Sequence, residues 1–362
     1  MLRAVKVSLG FATQAKLGRL LALRREIQSC TQAHIDAIWT SGGGLDSATL
    51  NRVTGGSLSY RHRSNCLKVA LETVSATRKA SRATGVPASK PTFRGAVRLS
   101  SLVAKVEKGK GTFDWALKVS GLSKGNPIVI PFKGHARLNH WLAKPGAKIL
   151  GGCTLGDGWA ALWIDIPVAP LKEGSALGVD IGINKLIVDS NGTRYGTDMR
   201  AVMARVRRCK PGSNGKRRAR RARENYINRE VKRLPWDHIG TIGVERLKNL
   251  KRGKRPGRSK QFRKAVAPWT YRQAVARIEM LAEENRVRLI AVDPRNTSRT
   301  CPRCGTCAAE NRRGESFRCT GPNCDNSADA DLVGALNVLA RTRVYSQESM
   351  VPALPCGRKV VI

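Results

Sequence analysis

The stretch Ala176–Gly196, ALGVDIGINKLIVDSNGTRYG, has the pattern of a strand, a turn and a second strand, and it contains the first acidic residue of interest. Its Asn191-Gly192 dipeptide is a strong signal for a hairpin turn. Asp180 ends the first apolar run, where a buried carboxylate is costly unless a cation or hydrogen bonds satisfy it. Asp180 is therefore a candidate site residue, and a turn-capping aspartate is the ordinary alternative.

Two further acidic segments lie downstream of this hairpin. Glu245 ends the apolar strand that is predicted over residues 239–244, and an ion pair with Arg246 is its ordinary interpretation. The acidic pair Asp329 and Asp331 opens an apolar helix, where either aspartate could cap the helix and interact favourably with its dipole. If Asp329 is the cap, Asp331 is the candidate site residue.

The three carboxylates can meet at one edge of a sheet. A helix is predicted over 271–285 and a strand over 287–292, and this alternation of helices and strands is typical of an α/β layer. Two carboxylates at strand ends and one on a helix supply the hard oxygen ligands that select Mg²⁺ or Mn²⁺. Two such ions held by shared carboxylates are typical of sites that hydrolyse phosphodiesters.

Five of the ten cysteines lie between residues 301 and 324, and their spacing indicates a metal site. Cys301 and Cys304 form a Cys-x-x-Cys knuckle, and Cys319 and Cys324 follow with four residues between them. Four thiolates suffice for a closed, tetrahedral structural zinc site. Cys307 is an alternative ligand, and redox-active cysteines are the competing interpretation.

The formal net charge of +40, from 66 Lys and Arg against 26 Asp and Glu, indicates a polyanionic partner, and nucleic acid is the natural one. A helical basic segment over 203–232 is predicted to contact phosphates, although a solvated helix face is the ordinary alternative; its candidates are Arg217, Arg218, Arg220 and Arg221. Weaker candidates near the cysteines are Arg303, Arg312 and Arg313. The basic loop 251–264 follows Glu245 and is a candidate for lining the cleft.

The first part of the chain has a different texture. Helices are predicted over residues 14–38 and 60–83, and short strands with frequent turns follow, including 128–132 and 148–155, which indicates a small β-barrel. There is no run of about 18 apolar residues and no continuous apolar signal core. A cytoplasmic location without a membrane partner is therefore expected.

Three segments resemble the RuvC-type motifs and the inserted zinc ribbon of the TnpB family, which comprises transposon-encoded RNA-guided nucleases and is similar to the compact type V CRISPR effectors. The segments are GVDIGINKLIVDSNG, IGVERLKNL and TSRTCPRCG…FRCTGPNCDNSADADLVGALNVL, and the resemblance is strong from about residue 176 to residue 341. Matched motif by motif, it implies that Asp180, Glu245 and Asp331 form the catalytic triad.

The resemblance implies an α/β fold with an RNase H-like (RuvC) nuclease core and an inserted zinc ribbon, preceded by a β-barrel wedge domain with a helical insertion. The implied boundaries are 1–12 and 92–172 for the wedge, 13–91 for the helical insertion, 173–297 and 326–342 for the nuclease, 298–325 for the ribbon, and 343–362 for a tail.

In activity, the resemblance implies an RNA-guided, magnesium-dependent DNA endonuclease with a structural Zn²⁺, whose guide RNA pairs with target DNA beside a short flanking motif. Two other classes stay open. One is an RNA-guided DNA-binding repressor, against which the three filled acidic positions argue, and the other is an unguided RuvC-like resolvase or transposase. A homodimer is also open, because the short helical part leaves little protein to hold a heteroduplex.

Overall fold

The computed structural model describes residues 1–41, 57–123, 125–247 and 271–348. The chain divides into two compact units, Met1–Val168 and Ala169–Ile362. Among the described residues, no helix is both long enough and apolar enough to cross a membrane.

Two long helices pack against each other in the first unit. Thr13 and Ser59 accept hydrogen bonds from backbone amides in the first turns of α1 (Gln14–Thr40) and α2 (Tyr60–Thr84), and so begin the two helices. The left-handed residue Gly85, with a φ of 68°, ends α2. Their shared apolar cluster consists of Ile35, Ile38, Leu67, Ala70 and Val74.

The first unit also contains seven strands and a short helix among its described residues. In chain order these are β1 (Leu2–Ser8), β2 (Val97–Leu99), β3 (Ala104–Lys108), β4 (Trp115–Val119), β5 (Ile128–Phe132), α3 (Ala136–Leu142), β6 (Lys148–Leu155) and β7 (Trp159–Asp165). One antiparallel sheet has the order β1-β7-β6-β2, and the other has the order β3-β4-β5.

The predicted closed barrel is wrong for the described strands, which form these two open sheets instead. β2 has only three residues, and its ladder does not continue onto β3. β6 shifts register between Ile149 and Cys153, where Gly152 has a φ of 85°. Residues from both sheets still meet in one hydrophobic core, so layering rather than closure buries their apolar faces.

The second unit is built on a five-stranded mixed sheet. Its strands are β8 (Ser175–Asp180), β9 (Ile187–Asp189), β10 (Arg194–Tyr195), β11 (Ile239–Glu245) and β12 (Arg288–Val292), in the order β10-β9-β8-β11-β12. β8, β11 and β12 run parallel, whereas β9 and β10 extend the sheet by antiparallel pairing. The Asn191-Gly192 turn lies between β9 and β10, as predicted.

Helices cover both faces of this sheet. The described helices are α4 (Met199–Arg208), α5 (Asn214–Lys232), α6 (Tyr271–Glu284) and α7 (Ala330–Glu348). Because side chains alternate along a strand, Leu177 and Val179 of β8 face the core that contains apolar residues of α4, α5 and α6. Gly178 and Asp180 point to the other face, where α7 packs. The unit is therefore an α/β layer structure with helices on both faces of a mixed sheet.

A small antiparallel sheet lies between β12 and α7 in the chain. Its strands are β13 (Arg312–Arg313), β14 (Ser316–Arg318) and β15 (Ser327–Asp329). Phe317 is fully buried beneath it, against Ala330 and Val333 of α7. β15 continues into α7 without an intervening residue, so this segment fixes where the helix starts.

Candidate active site and cysteine cluster

The strand register brings two of the predicted acidic residues to the same edge of the sheet. Val244 of β11 pairs with Val179 of the parallel strand β8, and each strand has its acidic residue, Glu245 or Asp180, one position further on. Asp331 joins them from the first turn of α7, where it is 9% exposed. Glu245 and Asp331 both raise the pKa of Asp180 by their charges, so the three carboxylates lie within electrostatic reach of one another.

Three glycines allow α7 to lie directly on the strands. A Cβ at Gly178 would collide with the backbone of Ala335, and a Cβ at Gly243 would collide with Thr342. On the helix, a Cβ at Gly334 would lie 3.0 Å from the Asp180 carboxylate oxygen. The close approach of α7 to β8 and β11 therefore depends on bare backbone at these positions.

Burial makes the cluster electrostatically expensive. It raises the pKa of Asp180 to about 8, and the charges of Glu245 and Asp331 push the pKa in the same direction. Burial also raises the pKa of Glu245, although the Thr297 hydroxyl donates a hydrogen bond to its carboxylate. A divalent cation would stabilise the charged forms of Asp180 and Glu245, and the carboxylate of Asp331 adds a third oxygen donor.

Arg312 is a cation from the small sheet that reaches this cluster. Its guanidinium lies 3.6 Å from a carboxylate oxygen of Asp331, and its charge opposes the upward pKa shifts of both Asp180 and Glu245. The side chain remains one third exposed. Arg312 can therefore also meet an anion that approaches the carboxylates from solvent.

Lys185 forms a second link between the small sheet and the carboxylates. Its ammonium lies 2.7 Å from Asp329, 3.3 Å from Asp331 and 3.7 Å from Glu315. Burial opposes the charge of Lys185, but the hydrogen bond to Asp329 and the charge of Asp331 outweigh it and raise the pKa of the ammonium. Lys185 thus holds the start of α7 against the loop that follows β8.

Glu245 is held by a separate connection to α7. The amide nitrogen of Asn337 donates hydrogen bonds of 2.7 Å to the carbonyls of Thr297 and Thr300. Thr297 in turn donates its hydroxyl proton to Glu245. Because Asn337 and Thr297 are both buried, this chain fixes the Glu245 side chain relative to the helix that carries Asp331.

The sequence motifs give no role to Lys185, Thr297 or Asn337, and they indicate Arg312 only as a phosphate contact. These four residues come from four separate segments, and only the fold brings them together. The paired strands did contain a usable signal. Gly-Val-acid occurs at the end of both β8 and β11, which indicates a bare strand face ending in a carboxylate.

The four predicted zinc ligands form a compact sulfur cluster. The Sγ atoms of Cys301, Cys304, Cys319 and Cys324 all lie within 4.8 Å of one another. Cys301 and Cys324 are separated by 3.8 Å, and Cys304 and Cys319 by 3.4 Å. Tetrahedral coordination at Zn–S bonds of ~2.3 Å places sulfurs about 3.8 Å apart, so the cluster fits Zn²⁺.

The alternative ligand Cys307 lies outside this cluster. It is exposed and pairs with Thr300 in an isolated bridge. The long spacer between Cys319 and Cys324 is accommodated by a turn at Gly321, whose amide donates to the Cys319 sulfur at 3.3 Å. A Cβ at Gly321 would lie 3.3 Å from the sulfurs of Cys304 and Cys319, so a side chain there would crowd the cluster.

The predicted nucleic-acid contacts lie on exposed surface. On α5, the four predicted arginines Arg217, Arg218, Arg220 and Arg221 are all exposed, and so is Arg229. Arg303 forms a 2.6 Å ion pair with Asp325, and both side chains are mostly exposed. An exposed pair of this kind is weak, so Arg303 can exchange its partner for a phosphate. The predicted cleft-lining loop 251–264 lies outside the described residues.

Comparison with known proteins links the second unit to a named family model. The model for the Cas12f1-like TNB domain matches residues 271–338. Over 100 residues, the chain is 33% identical to the CRISPR-associated endodeoxyribonuclease Cas12f1 of Sulfoacidibacillus thermotolerans. This match covers 27% of the present chain and 21% of the length of that relative.

Solved structures share the fold over more of the chain. CasPhi-2 (Cas12j) bound to crRNA aligns with a TM-score of 0.57 at 11% identity, covering 99% of both chains. The Cas12f1–sgRNA–target DNA complex aligns with a TM-score of 0.50 at 16% identity, covering 90% of this chain and 81% of the other. The resemblance of the chain to the compact type V CRISPR effectors, indicated by its sequence motifs, is thereby confirmed, and it is consistent with a TnpB-like protein.

Proposed function

We propose that the chain is an RNA-guided DNA endonuclease that hydrolyses phosphodiester bonds at Asp180, Glu245 and Asp331. The observation that carries this proposal is the convergence of the three carboxylates at one sheet edge, with a partly exposed arginine beside them. The carboxylates provide oxygen ligands for a cation, whereas Arg312 provides positive charge for a phosphate.

Asp180, Glu245 and Asp331 would hold Mg²⁺ or Mn²⁺ ions. Such ions, when bound, activate water and stabilise the oxygen that leaves a phosphodiester. The remaining contributions come from the chain itself. Thr297 orients Glu245, Lys185 holds the start of α7, and Arg312 neutralises charge at the solvent side of Asp331.

The net charge of +40 and the exposed arginines of α5 support nucleic-acid partners. The two compared structures were solved with guide RNA, and one of them also with target DNA. For this chain we infer a guide RNA that selects the DNA by base pairing, beside a short flanking motif that the protein reads. The cysteine cluster would hold a structural Zn²⁺, and the protein would act in the cytoplasm.

The direct test is cleavage of guide-matched DNA by single-site variants. Asp180→Ala, Glu245→Ala and Asp331→Ala should each reduce cleavage by at least ~10³-fold, because each removes a ligand or charge that acts in the transition state. RNA and DNA binding should persist within about twofold, since these residues contribute no positive charge. Asp198→Ala, which removes an exposed carboxylate of the same unit, is the matched control.

Each alternative has its own outcome in this experiment. A wild-type protein that binds guide-matched DNA but does not cut it with either Mg²⁺ or Mn²⁺ would be a repressor. Cleavage without any co-purifying RNA of defined sequence would identify an unguided resolvase or transposase. Sequencing the RNA that co-purifies with the protein therefore accompanies the cleavage assay.

A further inference from the structure

The first unit has an exposed surface on which lysines and aromatic rings lie together. It consists of Lys6, Phe11, Phe113, Lys133 and Trp159, which we call the lysine–aromatic surface. Phe11 is 50% exposed, although a phenylalanine ring is normally covered in a folded domain. Exposed large apolar groups beside charges are typical of binding surfaces.

The backbone brings these residues to one place. Ser8 of β1 pairs with Trp159 of β7, and Phe11 follows three residues after Ser8. The imidazole of His135 lies 2.9 Å from the carbonyl oxygen of Lys6, which places the segment around Lys133 beside β1. The surface is thus fixed by strand register and by the turn that precedes α1.

The rings are held in defined orientations. Phe11 and Phe113 form an edge-to-face pair with centroids 5.6 Å apart and an interplanar angle of 64°. A Cβ at Gly156 would collide with the Trp159 indole, so the glycine lets the indole lie across the turn between β6 and β7. Preorganised rings lose little conformational entropy when a flat ligand stacks on them.

A lysine lies beside each of two rings of this surface. The Lys6 ammonium lies 4.1 Å from the centroid of Trp159, and that of Lys133 lies 5.9 Å from the centroid of Phe11. The adjacent carboxylate of Asp114 accepts a hydrogen bond of 2.7 Å from the amide of Gly134. The β3–β4 hairpin carries the exposed residue Lys110 at its tip. The residues around the rings are therefore mainly basic.

We propose that the lysine–aromatic surface binds unpaired bases of a single-stranded RNA. Stacking requires the flat face of a base that is not paired, and the lysines are placed to contact the adjoining phosphates. A folded RNA offers such bases in its loops and ends, whereas duplex DNA does not. The choice of RNA rests on the proposed function, in which the chain carries a guide.

Binding of short oligomers to the full chain tests this assignment. The probes are a labelled oligoadenylate RNA, an abasic RNA of equal length and an oligodeoxyadenylate. Phe11→Leu with Phe113→Leu should weaken oligoadenylate binding at least about tenfold, which corresponds to the loss of about one stacked base. The matched variant Phe11→Tyr with Phe113→Tyr keeps both rings and should bind within about twofold of wild type.

The abasic RNA separates stacking from charge. Its affinity should be the same for the leucine variant and wild type, whereas Lys133→Glu should weaken both RNA probes more than Lys79→Glu on α2. As an independent readout, RNA containing 5-iodouridine should cross-link to Phe11, Phe113 or Trp159 in the wild-type protein. This measurement does not depend on whether a variant folds.

Three results would overturn the proposal. They are unchanged oligoadenylate binding by the leucine variant, an equal loss of abasic RNA binding, and cross-links only outside the surface. An equal loss for the oligodeoxyadenylate would reject RNA as the specific ligand. Because none of these assays measures cleavage, an inactive wild-type protein would refute the nuclease assignment without affecting them.

Discussion

At Asp180, burial against α7 raises the pKa of the carboxyl group to about 8, and this shift has a sign that can be measured. An unfolded aspartate has a pKa of about 4, so between the two values the folded state holds a proton that the unfolded state has lost. Stability should therefore fall as pH rises, by up to about 1.4 kcal/mol per pH unit from this group.

Chemical denaturation at pH 5 and pH 8, in buffer without magnesium, measures this effect. Wild type should lose more unfolding free energy between the two pH values than Asp180→Asn, which cannot titrate at this position. Since other groups titrate alike in both proteins, the difference isolates Asp180. Parallel losses in the two proteins would show that the carboxylate is not protonated in the folded state.

At the scale of elements, the small sheet and α7 form one assembly around the sulfur cluster. Phe317 packs against the start of α7, and Arg312 and Glu315 contact Asp331 and Lys185. Loss of a zinc ion from the sulfur cluster should therefore disturb the position of the Asp331 carboxylate. Zinc bound by four thiolates contributes directly to folding in sites of this kind.

Replacing Cys301 and Cys304 with serine should remove bound zinc and loosen the fold around Asp331. Zinc content by mass spectrometry should fall from about one ion per chain to near zero, since two of the four thiolates are lost. Amide hydrogen exchange over residues 312–331 should accelerate. Cys307→Ser is the matched control and should retain zinc; equal zinc in the double variant would contradict the ligand assignment.

Elements with strong local patterns were predictable from sequence. β5 (Ile128–Phe132) and β6 (Lys148–Leu155) have the predicted bounds, because short apolar runs between flanking turns define them locally. The basic segment over 203–232 is two helices rather than one, since Pro211 and the left-handed Gly212 interrupt it. The Pro-Gly dipeptide that separates the two helices is visible in the sequence. By contrast, α3 is too short to show a clear helical periodicity of apolar residues.

The candidate site also has a part that was predictable from local sequence and a part that was not. The motifs indicated Asp180, Glu245 and Asp331 because each stands where an apolar element ends or begins. The grouping of Lys185 with Asp331 depends on a contact between residues 146 positions apart, and that of Arg312 with Asp331 depends on the pairing of β13, β14 and β15. Closure of the first unit into a barrel likewise depends on pairing between strands that are distant in sequence. The local pattern of short strands and turns does not determine that pairing, and the predicted barrel is wrong.

For the whole molecule, the net charge of +40 predicts binding that weakens steeply with salt. Changing the four predicted α5 arginines, Arg217, Arg218, Arg220 and Arg221, to glutamine should reduce the steepness of log K against log salt concentration by about 3, at ~0.7–0.9 per phosphate contact. Titration of a labelled RNA from low to high salt measures this slope.

The control removes equal charge from the first unit, by changing the exposed residues Lys79, Lys105, Lys144 and Lys148 to glutamine. If α5 contacts phosphate, its variant should lose more of the slope than the control. Equal slopes for the two variants would mean that α5 is only a solvated face, the ordinary alternative for such a helix.

The seating of α7 on bare backbone has a mechanical consequence. At Gly178, the backbone of β8 meets the backbone of α7 at Ala335 and Leu339, with no side chain between them to deform when either one moves. The contact between α7 and β8 is therefore stiff. A displacement of α7 should move Asp331 by the same amount. In the proposed active site, the position of Asp331 relative to Asp180 and Glu245 should accordingly change in one step when α7 moves. Few partly active arrangements should exist in between.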